Sequence, residues 1–225
     1  MIVATAQTNG RGTGESRLKH EQAYEAIRTA IVRLELAPSS MIDETALCEQ
    51  LGIGRTPVHY ALQRLQHEGL VKIFPRRGMM VAPIDLLEAQ YLTQTRLMWE
   101  PNVARLAAQV GQPKKWDEME AILAETPETF ATIEDATQAA AVNARFHRGI
   151  AEATGNPCIV ELLEQHQHRT TRLAFIFFRH GVYIPKTEQH YEILAALRAG
   201  DGDRVAELET THIGVTLQRQ AQILS

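Results

Sequence analysis

Residues 43–70, DETALCEQLGIGRTPVHYALQRLQHEGL, admit few folds. Ala46, Leu47 and Leu51 repeat at helical spacing behind Asp43, a side chain suited to cap a helix start. Gly52 follows the last apolar position, where helices commonly stop in a left-handed conformation. Ile53 then reads as a buried plug in the turn. Thr56 can cap a second helix, with Pro57 in its first turn, where a missing N–H is harmless. Val58, Ala61, Leu62 and Leu65 face inward, which leaves Arg55, Thr56, His59, Gln63 and Gln66 outside. Two helices joined by a short Gly-containing turn form the helix-turn-helix pattern, whose second helix enters the DNA major groove.

The next segment agrees. Val71 and Ile73, then Met79 and Val81, are two short apolar runs around Phe74-Pro75-Arg76-Arg77-Gly78. That is a β-hairpin with a basic tip, a wing. Arg55 and Thr56 at a helix start, beside Arg76 and Arg77 on a wing, offer donors to base edges and phosphates together. An ordinary amphipathic helix pair with a solvated face explains the apolar spacing, but not turn, caps and wing at once.

The run from Tyr24 to Val81 resembles the winged helix-turn-helix of the GntR family of bacterial transcription regulators. The matching pieces are AIRTAIVRLELAPSSMI, LCEQLGIGRTPVHYALQRLQHEGLV and PRRGMMV. The resemblance implies that Arg55 and Thr56 contact DNA and that Gly78 lets the wing approach it closely. His59 and Tyr60 stand where the family usually has Arg-Glu, so a fixed charge is lost, although His59 can still hydrogen-bond a base or phosphate.

The net charge of −4 hides an asymmetry. Residues 11–82 carry ten Lys and Arg against eight Asp and Glu, and residues 83–225 carry thirteen against nineteen. So mild an excess predicts few phosphate contacts per subunit and useful affinity only when two subunits bind together. A homodimer on double-stranded, inverted-repeat operator DNA follows. No apolar run is long enough for a bilayer and no signal peptide is visible, which predicts a cytoplasmic protein with no membrane partner. Cys48 and Cys158, far apart, read as reduced thiols. Phosphate-cradling Gly loops, HExxH, paired CxxC and Gly-x-Ser-x-Gly are all missing, so no catalytic residue is assigned and no enzyme is expected.

The expected organisation is mainly α. A flexible arm covers 1–20, the winged helix-turn-helix 21–82, a linker 83–88, and an all-α helical-bundle effector domain 89–225. The spacing predicts about six helices, over 86–110, 115–124, 133–154, 158–179, 186–199 and 203–220. Leu92, Leu97, Trp99, Val103, Leu106 and Ala107 supply the buried side of the first.

Histidine placement in this half is informative. Asn143 and His147 are four apart and share a helix face. His190 lies 11 residues before Asp201 and His212 lies 11 after it. In an antiparallel pair turning at Asp201, both rings sit at one height, roughly 16 Å from the turn. If the Asn143 face packs there, one amide oxygen and three imidazoles converge, a set with open positions that suits Zn²⁺ or Ni²⁺. Taken singly, each is also an ordinary core histidine. His166 and His168, two apart on a helix, cannot face one way, and neither is assigned as a ligand.

Residues 89–220 resemble the FCD domain, the helical effector domain behind many GntR readers. The matching pieces are RLMWE, NARFHRGIAEATGNP, EQHYEILAALRAGD and ELETTHI. In metal-containing members an Asp-x-x-x-His and two later His bind the ion. The resemblance therefore implies His147, His190 and His212 as ligands, with Asn143 in the Asp position bringing no charge. It also implies a small carboxylate effector that completes the metal shell and pairs with an arginine, Arg96 first and Arg172 second. Two other readings remain: a metal-free member of the family with a larger acyl ligand, and a metallohydrolase fused to a DNA-binding module.

Overall fold

The computed structural model describes residues 13–181 and 187–224, which divide into two compact units, Met1–Ile84 and Asp85–Ser225. In the first unit α1 spans Thr13–Val32, β1 Met41–Ile42, α2 Glu44–Leu51, α3 Arg55–His67, β2 Val71–Phe74 and β3 Gly78–Val81. Of the arm expected over 1–20, residues 13–20 belong instead to α1. Glu15, Arg17, Leu18 and Lys19 are good helix formers with no breaker after Gly14, so nothing stops the helix from running back. Residues 1–12 lie outside the described residues.

α1 buries Ala23, Tyr24, Ile27, Ala30 and Ile31 against α3, whose Val58, Ala61, Leu62 and Leu65 are all buried as their spacing predicts. Asp43 caps α2, its side chain accepting from the Thr45 and Ala46 N–H groups. Gly52 ends α2 at φ 64°, a left-handed stop in which a side chain would be strained. The cap of α3 differs from expectation. Gly54, not Thr56, is its N-cap and makes no side-chain cap bond. Gly54 is extended and α3 opens at Arg55, so Thr56 and Pro57 are its second and third residues, still within the turn whose N–H groups lack helical partners.

β2 and β3 form the expected hairpin, with Val71 opposite Val81 and Phe74 opposite Gly78. β1 joins the other edge of β3, pairing Met41 with Met80 and Ile42 with Met79, so the sheet order is β1-β3-β2. A two-residue strand has no alternation to read, which is why the sequence reading lacks it.

The second unit contains α4 (Leu86–Val110), α5 (Pro113–Leu123), α6 (Ile133–Ala153), α7 (Pro157–Arg179), α8 (Thr187–Ala199) and α9 (Gly202–Leu224). The expected linker of 83–88 loses 86–88 to α4, because Asp85 accepts from Leu87 and Glu88 N–H and starts the helix there. A reciprocal capping box between Thr132 and Asp135 opens α6. Ala104, Ala107, Trp116, Met119, Phe146, Ile193, Leu197 and Val205 build the core. Leu106, expected inside, is exposed; Thr93, Arg96 and Glu100 instead join Leu92, Ala104 and Ala107 on the inward face of α4. α4 packs extensively on α9, and α6 packs on α4, which sets the frame for the histidines. No helix among the described residues is long and apolar enough to cross a membrane.

Candidate functional site

The DNA-reading candidates lie where the helix-turn-helix pattern puts them. Arg55, Thr56 and His59 are exposed on the first two turns of α3, and Arg76, Arg77 and Gly78 are exposed at the hairpin tip. Arg55 Nη2 donates to Thr45 Oγ1 at 3.1 Å, a light tether on an otherwise solvated side chain. His59 has two neighbours that the sequence reading did not assign. Its Nδ1 is 2.9 Å from Glu44 Oε1, and its Nε2 is 3.3 Å from Gln63 Nε2. An amide N–H can only donate, so Gln63 donates to Nε2 and the His59 proton sits on Nδ1, facing Glu44. Gln63 could have been found from its four-residue spacing. Glu44 could not, because it comes from the other helix of the pair.

In the second unit α6, α8 and α9 bring His147, His190 and His212 together. His212 Nε2 lies 3.3 Å from His147 Nε2 and 3.3 Å from His190 Nε2. Phe146 lies beneath, its ring centroid 4.7 Å from that of His190. His212 Nδ1 is 3.0 Å from Gln189 Oε1, to which it donates. That bond leaves the Nε2 lone pair of His212 facing both neighbours, and one nitrogen cannot hold two in-plane hydrogen bonds well. A tetrahedral ion with Zn–N bonds of about 2.0–2.1 Å would set its nitrogens about 3.3–3.4 Å apart. Both separations from His212 match that edge and the ligand atoms of all three residues lie within 4.8 Å of one another, so the three imidazoles could hold a divalent metal. Burial holds the His147 imidazole well below its ordinary range, with His212, His190 and Arg96 adding to the effect. Burial also brings His190 down to about 4. Both are therefore neutral at pH 7, the state in which imidazole ligates.

Asn143 stands half-buried on α6, one turn before His147. Arg96 is buried and forms a bidentate pair with Glu100, Nε to Oε1 at 2.6 Å and Nη2 to Oε2 at 3.0 Å. Burial opposes the Arg96 cation and Glu100 more than offsets it. The effector arginine expected from the sequence thus faces a carboxylate of its own chain. Arg172 is buried on α7; burial lowers its guanidinium to about 10, with Glu88 acting the other way. Glu209, one turn before His212 on α9, was not anticipated. Its carboxyl is buried and pushed up to about 8 by burial, Glu100 adding and Arg96 opposing. His147 Nδ1 lies 3.6 Å from Glu209 Oε1. At that distance the contact is longer than a hydrogen bond. A cavity of about 10 Å³ lined by Trp99, Glu100, His147, Leu163 and Glu209 has room for about one water.

Comparison with known proteins agrees with both halves. Residues 19–81 match the bacterial regulatory proteins of the gntR family and residues 91–215 match the FCD domain. An uncharacterised HTH-type transcriptional regulator from the TAR-I ttuE-ttuC' intergenic region of Agrobacterium vitis is 32% identical over 127 residues, which are 56% of this chain and 74% of that protein. The HTH-type transcriptional repressor RspR of Escherichia coli K12 is 26% identical over 204 residues, 86% of this chain and 85% of its own. A crystal structure of a GntR-type regulator from Rhodococcus sp. RHA1 superposes with a TM-score of 0.73 at 22% identity, covering 92% of this chain and 98% of the other. This chain is a DNA-binding transcriptional regulator that belongs to the gntR family and carries an FCD domain behind its reader.

Proposed function

We propose that the helical domain is a metal-dependent sensor of a small organic acid and that its occupancy controls how paired readers grip an inverted-repeat operator. The observation that carries this reading is the meeting of three imidazoles at a spacing that suits one divalent ion, Zn²⁺ or Ni²⁺. His147, His190 and His212 hold the ion, with Asn143 beside them. A bound metal would supply a Lewis-acidic point on which a carboxylate settles. Arg96 would pair with that carboxylate after parting from Glu100, and Arg172 is the second candidate. The cavity beside His147 is too small for an organic acid, so entry requires Trp99 or the Arg96–Glu100 pair to move. The same limit disfavours a large acyl ligand at this place.

On the reader, Arg55, Thr56 and His59 address bases while Arg76, Arg77 and the Gly78 backbone address the phosphates and groove beside them. Support for a homodimer comes from α4. Leu87, Tyr91 and Met98, respectively 53%, 57% and 77% exposed, fall on one stripe of that helix. Three large apolar side chains in line on a helix suit a second copy better than water. A ligand that favours one arrangement of the two readers then shifts the population able to fit the operator. The test is elemental analysis of the purified protein, followed by a thermal-shift screen of small carboxylates with and without the ion. A protein that contains no metal and takes up neither Zn²⁺ nor Ni²⁺ would overturn the reading.

A further inference from the structure

Two acids are buried beside the histidines, and only one has a cation bound to it. Glu100 is held by both arms of Arg96. Glu209 is 1% exposed, and neither of its carboxylate oxygens has a hydrogen-bond partner among the described residues. The groups that face it are His147, Glu100 and, by its charge, Arg96. Burying a polar group without a partner is costly, so close packing of α9 does not account for an acid at this position.

The orientation of His147 does. Its Nε2 points to His212, while its Nδ1 points the opposite way, to Glu209 Oε1 at 3.6 Å, just beyond hydrogen-bond length. Glu209 is therefore behind the ring and outside the three-histidine cluster, although with Glu100 and His147 it makes a second group of possible ligands. His212 shows the same arrangement in finished form, with Nε2 in the cluster and Nδ1 donating to Gln189 Oε1. Metal-bound histidines commonly give their second N–H to an oxygen, which fixes the tautomer and makes the ligating nitrogen more basic. Glu100 already accepts from both arms of Arg96, and the carboxylate that stands 3.6 Å from His147 Nδ1 is that of Glu209.

We propose that Glu209 is a positioning residue for the metal centre: its carboxylate accepts a hydrogen bond from His147 Nδ1–H, aims the Nε2 lone pair at the ion, and supplies from behind the ring the negative charge that Asn143 does not bring to the front. The inference rests on the metal reading above. It places an acid behind a site whose ligands, three imidazoles and an amide, include no anion. It also gives the unpartnered acid a partner, since the ion strengthens the donor that faces it.

The experiment measures Zn²⁺ affinity of the full chain by competition with a chromogenic chelator, for the parent and for Glu209→Gln. Glutamine keeps the size and an acceptor oxygen but removes the charge. Affinity should fall roughly 10–100-fold, with one ion per chain retained at saturation. The metal-free variant should melt no lower than the parent, because it buries no acid. A merely structural role predicts the opposite pair of results, a lower melting temperature and unchanged Zn²⁺ affinity. Should Glu209→Gln fail to fold, nitrogen NMR of the Zn²⁺-loaded parent decides: His147 must carry its proton on Nδ1 and ligate through Nε2. Ligation through Nδ1, or an affinity within twofold of the parent, overturns the proposal while leaving the metal site standing. A parent that binds no Zn²⁺ at all overturns both.

Discussion

His190 and His212 are 22 residues apart in the chain, yet their Nε2 atoms lie 3.3 Å from each other across the α8–α9 hairpin. Each is equally far from Asp201, and each helix rises about 1.5 Å per residue, so the turn folds one onto the other's level. His147 arrives from α6 to complete the cluster.

Metal loading should follow these three side chains. His190→Ala should abolish tight binding of Zn²⁺ and cancel the rise in melting temperature that the ion gives the parent, since a ligand bound only by the folded chain stabilises it by mass action. Asn143→Asp adds an anion beside a dication and should tighten binding by on the order of tenfold. Calorimetric titration of both variants checks this. Equal affinities for the parent and Asn143→Asp would show that position 143 does not face the ion.

Acid should destabilise the metal-free protein from about pH 6.5 downward, where the histidines of the unfolded chain begin to protonate and the buried ones do not. His190 folds with its imidazole at about 4 instead of 6.5, and His147 is lowered as well. The unfolded chain therefore binds more protons than the folded one between these values, so stability rises with pH up to about 6.5. Glu209 works the other way. Its carboxyl is raised from 4.5 to about 8, so its contribution is present below 4.5 and is lost as pH climbs to 8. With two imidazoles against one carboxyl, metal-free stability should peak near pH 6.5. It should then fall toward pH 8 by roughly 1.4 kcal/mol per unit at most. Urea titrations across pH 4–8 would show the peak, and Glu209→Gln should flatten its alkaline side. A monotonic rise to pH 8 in the parent would contradict it.

Replacing Met98 with Glu should split the proposed dimer. It puts a charge at the most exposed of the three apolar positions on the α4 stripe, where burial against a second copy would leave it unpaired. Light scattering should show monomer at concentrations where the parent is dimeric, with the helical content unchanged. Persistence of the dimer would assign the interface to another face.

Arg55→Ala should lower operator affinity by about 1–3 kcal/mol, the range for one good side-chain contact to a base. Binding to unrelated DNA should change far less. The Thr45 hydrogen bond that is lost is exposed and single, so the melting temperature should hold. Gel-shift titrations on operator and scrambled DNA separate the two. Parallel losses on both would reduce Arg55 to a phosphate contact.

What the sequence made legible is what periodicity and local capping control. The inward side of α3, the left-handed stop at Gly52 and the hairpin of β2 and β3 could all be read from neighbouring residues. So could the level shared by His190 and His212, because it needs only a helix rise and one turn. Features decided by partners distant in sequence were out of reach. Glu44 reaches His59 from the preceding helix, whereas the Arg96–Glu100 pair, four apart on α4, lay within reach of spacing and was missed. Nothing in ELETTHI says that Glu209 is sealed behind His147. The start of α3 was misplaced for a local reason, since an extended Gly54 can do the capping work that Thr56 would otherwise have done.

The α8–α9 hairpin is also a ruler. One residue inserted between His190 and Asp201 would turn His190 about 100° around its helix and lift it about 1.5 Å, away from His212. Seven inserted residues would restore the facing direction but displace the ring by about two turns. The two arms can therefore change in composition at their outward positions but not in length. The turn itself is constrained too, by Gly200 at φ 69° and by Gly202 packed on Arg105. Length, more than any single side chain of the hairpin other than the two histidines, is what this part of the protein must conserve.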